Sequence, residues 1–241
     1  MPKTRVLVTG AAGGVAQMLV PGLVESYDLV LTDRVPTPGG VQGDLANRDF
    51  LAKITIGVDA IVHLAANAGP GATWDELRVP NIDVVAAVLA AGVPRVVLAS
   101  SAHVMGQYVA QGLVPVDPDL PPAPCCAYGA TKAFAEALGR AHAYRTGTSV
   151  VALRLGATTP EPPASSALGA WLGPADLRQL VIRGLEADVR YAMCPGVSAN
   201  TRTQWDVRNA IGYRPVLDSE PYAAHVPFDE SWGPCRSQTG E

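Results

Sequence analysis

RVLVTGAAGGVAQMLV, residues 5–20, is a short apolar run that ends in glycine and is followed at once by helical spacing. A continuous apolar run of this length reads as a strand buried on both faces, as in a parallel sheet. Gly10, Gly13 and Ala16 are spaced G-x-x-G-x-x-A, with Gly14 and Val15 between them. Glycine there permits a tight turn and lets the backbone approach a pyrophosphate, whose charge then meets the free N–H groups of the helix start. The spacing alone is weak in a chain with 24 glycines; its place after the first strand gives it weight. The implied ligand is a dinucleotide held by Gly10, Gly13, Gly14 and Val15.

Further along, DLVLTD (28–33) reads as the next strand and ends in an acid. A carboxylate at Asp33 can accept hydrogen bonds from an adenosine ribose and would repel a 2′-phosphate. NAD is therefore favoured, while the neighbouring Arg34 keeps NADP open. Asp44 and Leu45, in the short third strand VQGDL, face the adenine in this reading; either acid can also be a plain turn residue. DFLAKI reads as a helical turn, and DAIVHLAA (59–66), PRVVLASS (94–101) and SVVALRLG (149–156) as buried strands. Helices are expected over 80–92, opened by Pro80 and stopped by Gly92, and over 127–147, with a proline-rich loop at 102–126 between them. After residue 157 the pattern weakens to a helix at 174–187, a last strand at VRYAMC and a short helix at DVRNAIG. The alternation implies a doubly wound parallel α/β sheet of the Rossmann type over 1–156, a small C-terminal substrate lobe over 157–219 and a loose tail over 220–241.

Bulk composition narrows the function. With 48% hydrophobic and 17% charged residues the chain can bury a sizeable core, and a net charge of −4 without a basic block argues against nucleic acid. No apolar run is long enough to span a membrane, and Met1-Pro2-Lys3 leads straight into a strand, so a soluble cytoplasmic protein is expected. Cys125, Cys126, Cys194 and Cys235 show no metal-ligand spacing, and no metal is expected.

The chemistry concentrates in CCAYGATKAF. Lys3, Lys53 and Lys132 are the only lysines among 18 basic residues, and Lys132 stands four positions after Tyr128. On a helix these two share a face. An ammonium near a phenol favours the phenolate, so Tyr128 can serve as a general base near neutral pH.

TGAAGG, HLAA (63–66), ASSAHVMG (99–106) and YGATK (128–132), in this order and spacing, resemble the extended short-chain dehydrogenase/reductase (NAD-dependent epimerase/dehydratase) family, with most likeness to uronate dehydrogenases. The resemblance covers about residues 4–215. It implies that Tyr128 is the acid/base, that Lys132 holds the nicotinamide ribose and tunes the tyrosine, and that Ser101 binds the reacting oxygen. Asn81 would complete a proton relay, unless it only caps a helix, and Leu64, Ala65 and Ala66 would line the cofactor. A homodimer through helices 80–91 and 127–146 is a further expectation of the family.

The substrate positions depart from that pattern. The polar groups that hold a sugar acid fall at Ala68, Ala102 and Ala157, and the arginine that clamps its carboxylate falls at about Ser166. A desolvated carboxylate needs a matching cation, so uronate does not follow. Ser101, Ala102, His103 and Ala157 are the expected substrate contacts; Arg154 is either a substitute cation or a structural residue. The expectation is an NAD-dependent dehydrogenase acting on a secondary alcohol or sugar-like hydroxyl. A sugar epimerase or dehydratase that returns its hydride, and a non-catalytic NAD-binding protein, are the alternatives. Ala102-His103, standing where dehydratases carry an Asp-Glu pair, speaks against dehydration.

Overall fold

The first strand, β1 (Arg5–Thr9), is exposed only at Arg5 and fully buried over Val6–Leu7–Val8, as an interior parallel strand requires. A computed structural model describes residues 3–229 of the chain. Around β1, β2 (Asp28–Asp33), β3 (Val41–Gln42), β4 (Ala60–His63), β5 (Arg95–Ser101), β6 (Ser149–Leu155) and β9 (Tyr191–Gly196) pair in the order β3-β2-β1-β4-β5-β6-β9. Every neighbouring pair is parallel. The chain winds outward from β1 in one direction, then returns past β1 and winds the other way. The reversal opens a crevice at the carboxyl ends of β1 and β4, where a ligand can reach the backbone.

Helices cover both faces. Helix α1 (Gly14–Leu19) and α7 (Pro174–Glu186) bury Leu19, Leu177, Leu180 and Val181 against one face. Helices α2 (Arg48–Ile54), α4 (Val84–Leu89) and α6 (Ala127–Thr146) bury Leu51, Val88 and Ala135 against the other. The first helix is shorter than its apolar spacing suggests, because Pro21 turns the chain into a 3-10 segment at Val20–Gly22.

Three local expectations need correction. The helix expected at 80–92 begins six residues earlier, as α3 (Trp74–Arg78). Thr73 opens it with a capping box: its N–H donates to Glu76 Oε2 (2.8 Å) and its Oγ1 accepts from the Glu76 N–H (3.4 Å). Pro80 sits not at the helix start but inside a π-helical turn, Val79–Asp83, which joins α3 to α4 and tolerates the missing N–H. The segment 102–126 is not only loop: it holds a 3-10 turn, Ala102–Met105, and α5 (Gly106–Ala110). DVRNAIG is not helical; Asn209 instead ties it into a loop, accepting from the N–H groups of Ile211 (3.2 Å) and Tyr213 (2.9 Å).

Beyond β6 a two-stranded parallel ribbon, β7 (Ala157–Thr158) with β8 (Trp171–Leu172), leads into α7. A separate apolar cluster of Val104, Met105, Val116, Val197 and Trp205 joins the 102–126 segment to the residues after β9. Asp176, fully buried at the start of α7, accepts from the N–H groups of Val216 and Leu217, both at 2.9 Å. Over 220–229 the chain makes a 3-10 turn at Glu220–Tyr222, and the Asp229 carbonyl accepts from Ser166 Oγ at 2.5 Å. The rest of the expected tail, 230–241 with Cys235, lies outside the described residues.

Candidate active site

Gly10 closes β1 with φ +70°, and a Cβ there would lie 2.7 Å from the Ala65 backbone nitrogen. Only glycine lets the end of β1 press so closely on the end of β4. Gly14, at the start of α1, faces open space. Asp33 ends β2 beside this loop; its Oδ2 accepts from the Ala12 N–H (3.0 Å) and its Oδ1 from the Val35 N–H (3.2 Å). Its carboxylate both shapes the glycine turn and borders a cavity lined by Gly10, Arg34, Asp44, Leu45, Ala65 and Ala66. Val15 does not line that cavity; it packs against the α1 side of the core. The cavity thus offers backbone amides, a ribose acceptor and an apolar floor, a donor set that fits the adenosine half of a dinucleotide.

Tyr128 and Lys132 both lie on the buried face of α6, one turn apart, with the Lys132 Nζ 5.7 Å from the centre of the tyrosine ring. The Tyr128 side chain hydrogen-bonds Ser101, the last residue of β5, and Lys132 donates to the Ala99 carbonyl at 2.7 Å. The expected fall in the tyrosine pKa is not what this geometry produces. Burial raises the Tyr128 phenol above its ordinary value, and the Ser101 hydrogen bond offsets only part of that rise. Burial acts on the lysine as well and pushes its ammonium down to about 8.

His63, at the end of β4, stands near the same ammonium. Its Nδ1 bonds the Thr9 hydroxyl at 2.8 Å, and its buried Nε2 meets no hydrogen-bond partner among the described residues. Burial, and secondarily the Lys132 charge, push it down to about 3, so the ring is neutral.

Asn81 falls on the π-helical turn and spends its amide on positioning. Nδ2 donates to the Asn67 carbonyl (2.9 Å) and to Thr131 Oγ1 (3.1 Å), while Oδ1 accepts from the Asn67 N–H (2.8 Å). Thr131 in turn donates to the Tyr128 carbonyl at 2.7 Å. Leu64 and Ala65 follow β4 beside Gly10.

The 3-10 turn after Ser101 carries Ala102 and His103; the His103 ring stands edge-on to Tyr128, 5.7 Å between centres. Ala157 lies on β7, away from that turn in sequence and paired in the ribbon with Trp171. Arg154 is spoken for: it makes a two-pronged ion pair with Glu136 of α6 (2.9 and 2.8 Å) and donates to the Pro118 carbonyl (3.1 Å). Ser100 closes the network with a short hydrogen bond to Glu136 Oε1. Glu136 was legible in principle, standing one turn beyond Lys132 on the same face of YGATKAFAE. The convergence of His103 with Cys125 and Cys126 was not, because those residues lie 22 and 23 positions apart.

A Gly-rich turn at a sheet reversal, an acid closing the second strand, and a tyrosine, a lysine and a serine meeting at the end of β5 define a nicotinamide-dependent oxidoreductase of the short-chain dehydrogenase/reductase type. The sequence over residues 6–160 matches the model of the NAD dependent epimerase/dehydratase family, and the chain belongs to that family. It is 33% identical to a uronate dehydrogenase of Pseudomonas putida over 93% of this chain and 88% of that one. It is 34% identical to an L-arabinose 1-dehydrogenase (NAD(P)(+)) of Haloferax volcanii over 88% of this chain and 96% of the other. A uronate dehydrogenase of Agrobacterium tumefaciens superposes with a TM-score of 0.84 at 31% identity, covering 94% of this chain and 89% of that one.

Proposed function

We propose that this oxidoreductase oxidises a hydroxyl-bearing carbon of a small, uncharged sugar, with Tyr128 as the proton acceptor. The observation that carries the substrate class is the fate of the cations. Arg154 is locked to Glu136, and Ser166, which stands about where the resemblance expects a carboxylate-binding arginine, is bonded to the Asp229 backbone. A carboxylate brought into such a pocket would lose its hydration with no guanidinium to replace it. An L-arabinose 1-dehydrogenase and uronate dehydrogenases match this chain at nearly the same identity, so the preference for a neutral aldose rests on the fate of the cations alone.

In this reading bound NAD supplies one thing, a hydride acceptor at its nicotinamide ring. Ser101 holds the substrate hydroxyl through Oγ. The Tyr128 phenolate takes the hydroxyl proton, so the C–H electron pair is free to leave with the hydride. Lys132 keeps its ammonium beside the tyrosine and would hold the nicotinamide ribose when the cofactor is bound. Burial opposes ionisation of Tyr128, and its phenolate would be favoured by the positive nicotinamide of bound NAD. Asn81 acts as a positioning residue: through Asn67 and Thr131 it fixes the loop after β4 to the helix turn that carries Tyr128. Asp33 favours NAD over NADP.

The test is Tyr128→Phe assayed against a panel of aldoses, uronates and secondary alcohols with NAD and NADP. Turnover should vanish while NAD binding persists; a variant that still turns over sinks the assignment, and a uronate as the best substrate sinks the pocket argument. We further propose a homodimer through α4 and α6, supported by the half-exposed Phe134 on α6; sedimentation as a monomer at micromolar concentration would refute it. A cytoplasmic location accords with the buried Cys194 being a thiol, and fractionation of the source cells tests it.

A further inference from the structure

The turn after β5 and the chain just before α6 meet over one small cluster. Cys125 Sγ lies 3.3 Å and Cys126 Sγ 3.6 Å from His103 Nδ1, and the three atoms all fall within 4.8 Å of one another. We infer that His103, Cys125 and Cys126 form a binding site for a thiophilic divalent cation of the zinc class, next to the ring contact between His103 and Tyr128.

Three observations carry this. The first is geometry. A tetrahedral zinc with bonds of about 2.3 Å to sulfur and about 2.0 Å to nitrogen sets N···S separations of about 3.5 Å and an S···S separation of about 3.8 Å. The two N···S distances bracket that value, so the donors need only small rotations to close on an ion. The second is donor chemistry. Two sulfurs and an imidazole select zinc-like ions and exclude magnesium and calcium, which take oxygen. The described residues supply three donors, the number that reactive zinc sites take from protein.

The third is how the fold builds the cluster. Cys126 caps α6, and its sulfur accepts the Gly129 N–H at 3.4 Å, which fixes the side chain at the start of the helix. Gly129 faces the turn: a Cβ there would sit 2.5 Å from the His103 carbonyl oxygen. The missing side chain lets α6 press on the 102–105 turn and brings His103 to both sulfurs. The His103 ring also packs on Tyr128, 5.7 Å between centres, so one side chain joins this cluster to the reacting tyrosine.

The test uses the full reduced chain, stripped with a chelator and titrated anaerobically with Co²⁺. Expected is a thiolate-to-cobalt charge-transfer band that saturates at one equivalent and is abolished by Zn²⁺. Cys125→Ser or Cys126→Ser should each cut its intensity to about half. In the unmutated chain, Zn²⁺ should protect Cys125 and Cys126 from alkylation, read by peptide mass spectrometry, which keeps the test independent of how the variants fold. No charge-transfer band would overturn the site. So would a band that persists in the Cys125→Ser/Cys126→Ser double variant and is lost in Cys235→Ser. Recovery of Cys125 and Cys126 as a disulfide from the reduced, stripped chain would overturn it as well.

Discussion

Lys132→Met should make this protein more stable and inactive. The side chain is 5% exposed and, as an ammonium, is held at about 8 rather than its ordinary 10.5. At about 1.4 kcal/mol per pH unit, that depression means the buried charge costs the fold about 3 kcal/mol at neutral pH. The hydrogen bond to the Ala99 carbonyl disappears in the variant and takes back about 1 kcal/mol. Methionine fills a similar volume without charge, so a net gain of about 2 kcal/mol is expected, a rise in thermal midpoint of about 4–8 °C for a domain of this size. The sign of the pH dependence follows from the direction of the shift. Between about 8 and 10.5 the unfolded chain binds the lysine proton more readily than the folded one, so stability of the parent rises with pH across that window. Above it the charge is gone in both states and its cost vanishes; below it the cost is complete. Urea unfolding of the cofactor-free parent and variant at about pH 7, 8, 9 and 10 should therefore show a gap that is widest at about pH 7 and closes towards about pH 10. Parallel curves, or a variant less stable than the parent at about pH 7, would refute the depressed lysine. Turnover by the variant would refute the role given to it.

The other perturbations act at separate points of the same site. His63 is held at about 3 against an ordinary 6.5, so its contribution is complete above about pH 6.5 and is lost as pH falls towards about 3; His63→Asn should flatten the acid limb of a stability–pH curve, and an unchanged limb would place the acid sensitivity elsewhere. Arg154→Met should cost about 3–5 kcal/mol by leaving Glu136 charged and buried with only Ser100 as partner, whereas the joint replacement Glu136→Gln with Arg154→Met should recover part of that loss in urea midpoints. Asp33→Ser should raise the KM for NAD and narrow the preference against NADP, and a preference that stays unchanged removes Asp33 from cofactor choice.

The sequence made the order of strands' chemistry readable because each signal was local. Gly10 through Ala16, Asp33 at a strand end, and Tyr128 with Lys132 one helical turn apart are patterns whose meaning needs no knowledge of distant residues. The helix over 74–89 was misplaced for an equally local reason. Pro80 reads as a helix start by its missing N–H, but Thr73 and Glu76 had already capped the helix, and a π-helical turn absorbed the proline. That displacement matters to function, because the turn is what aims Asn81 at Asn67 and Thr131.

What sequence cannot carry is whether a charged group is available. Arg154 is an arginine near the end of β6, and by residue type it qualifies as a cation for a sugar acid. Its availability is decided by Glu136 on a helix 18 positions earlier and by the Pro118 carbonyl on a loop 36 positions earlier. Once both hold it, moving the guanidinium towards a substrate would strip a buried carboxylate of its partner, a cost of several kcal/mol that a single carboxylate–arginine contact does not return. The proposed preference for neutral sugars rests on this pairing more than on the alanines at 68, 102 and 157. The discriminating variant is Glu136→Gln: releasing Arg154 should lower the KM for a uronate relative to a neutral aldose, and an unchanged ratio would return the specificity to the alanines.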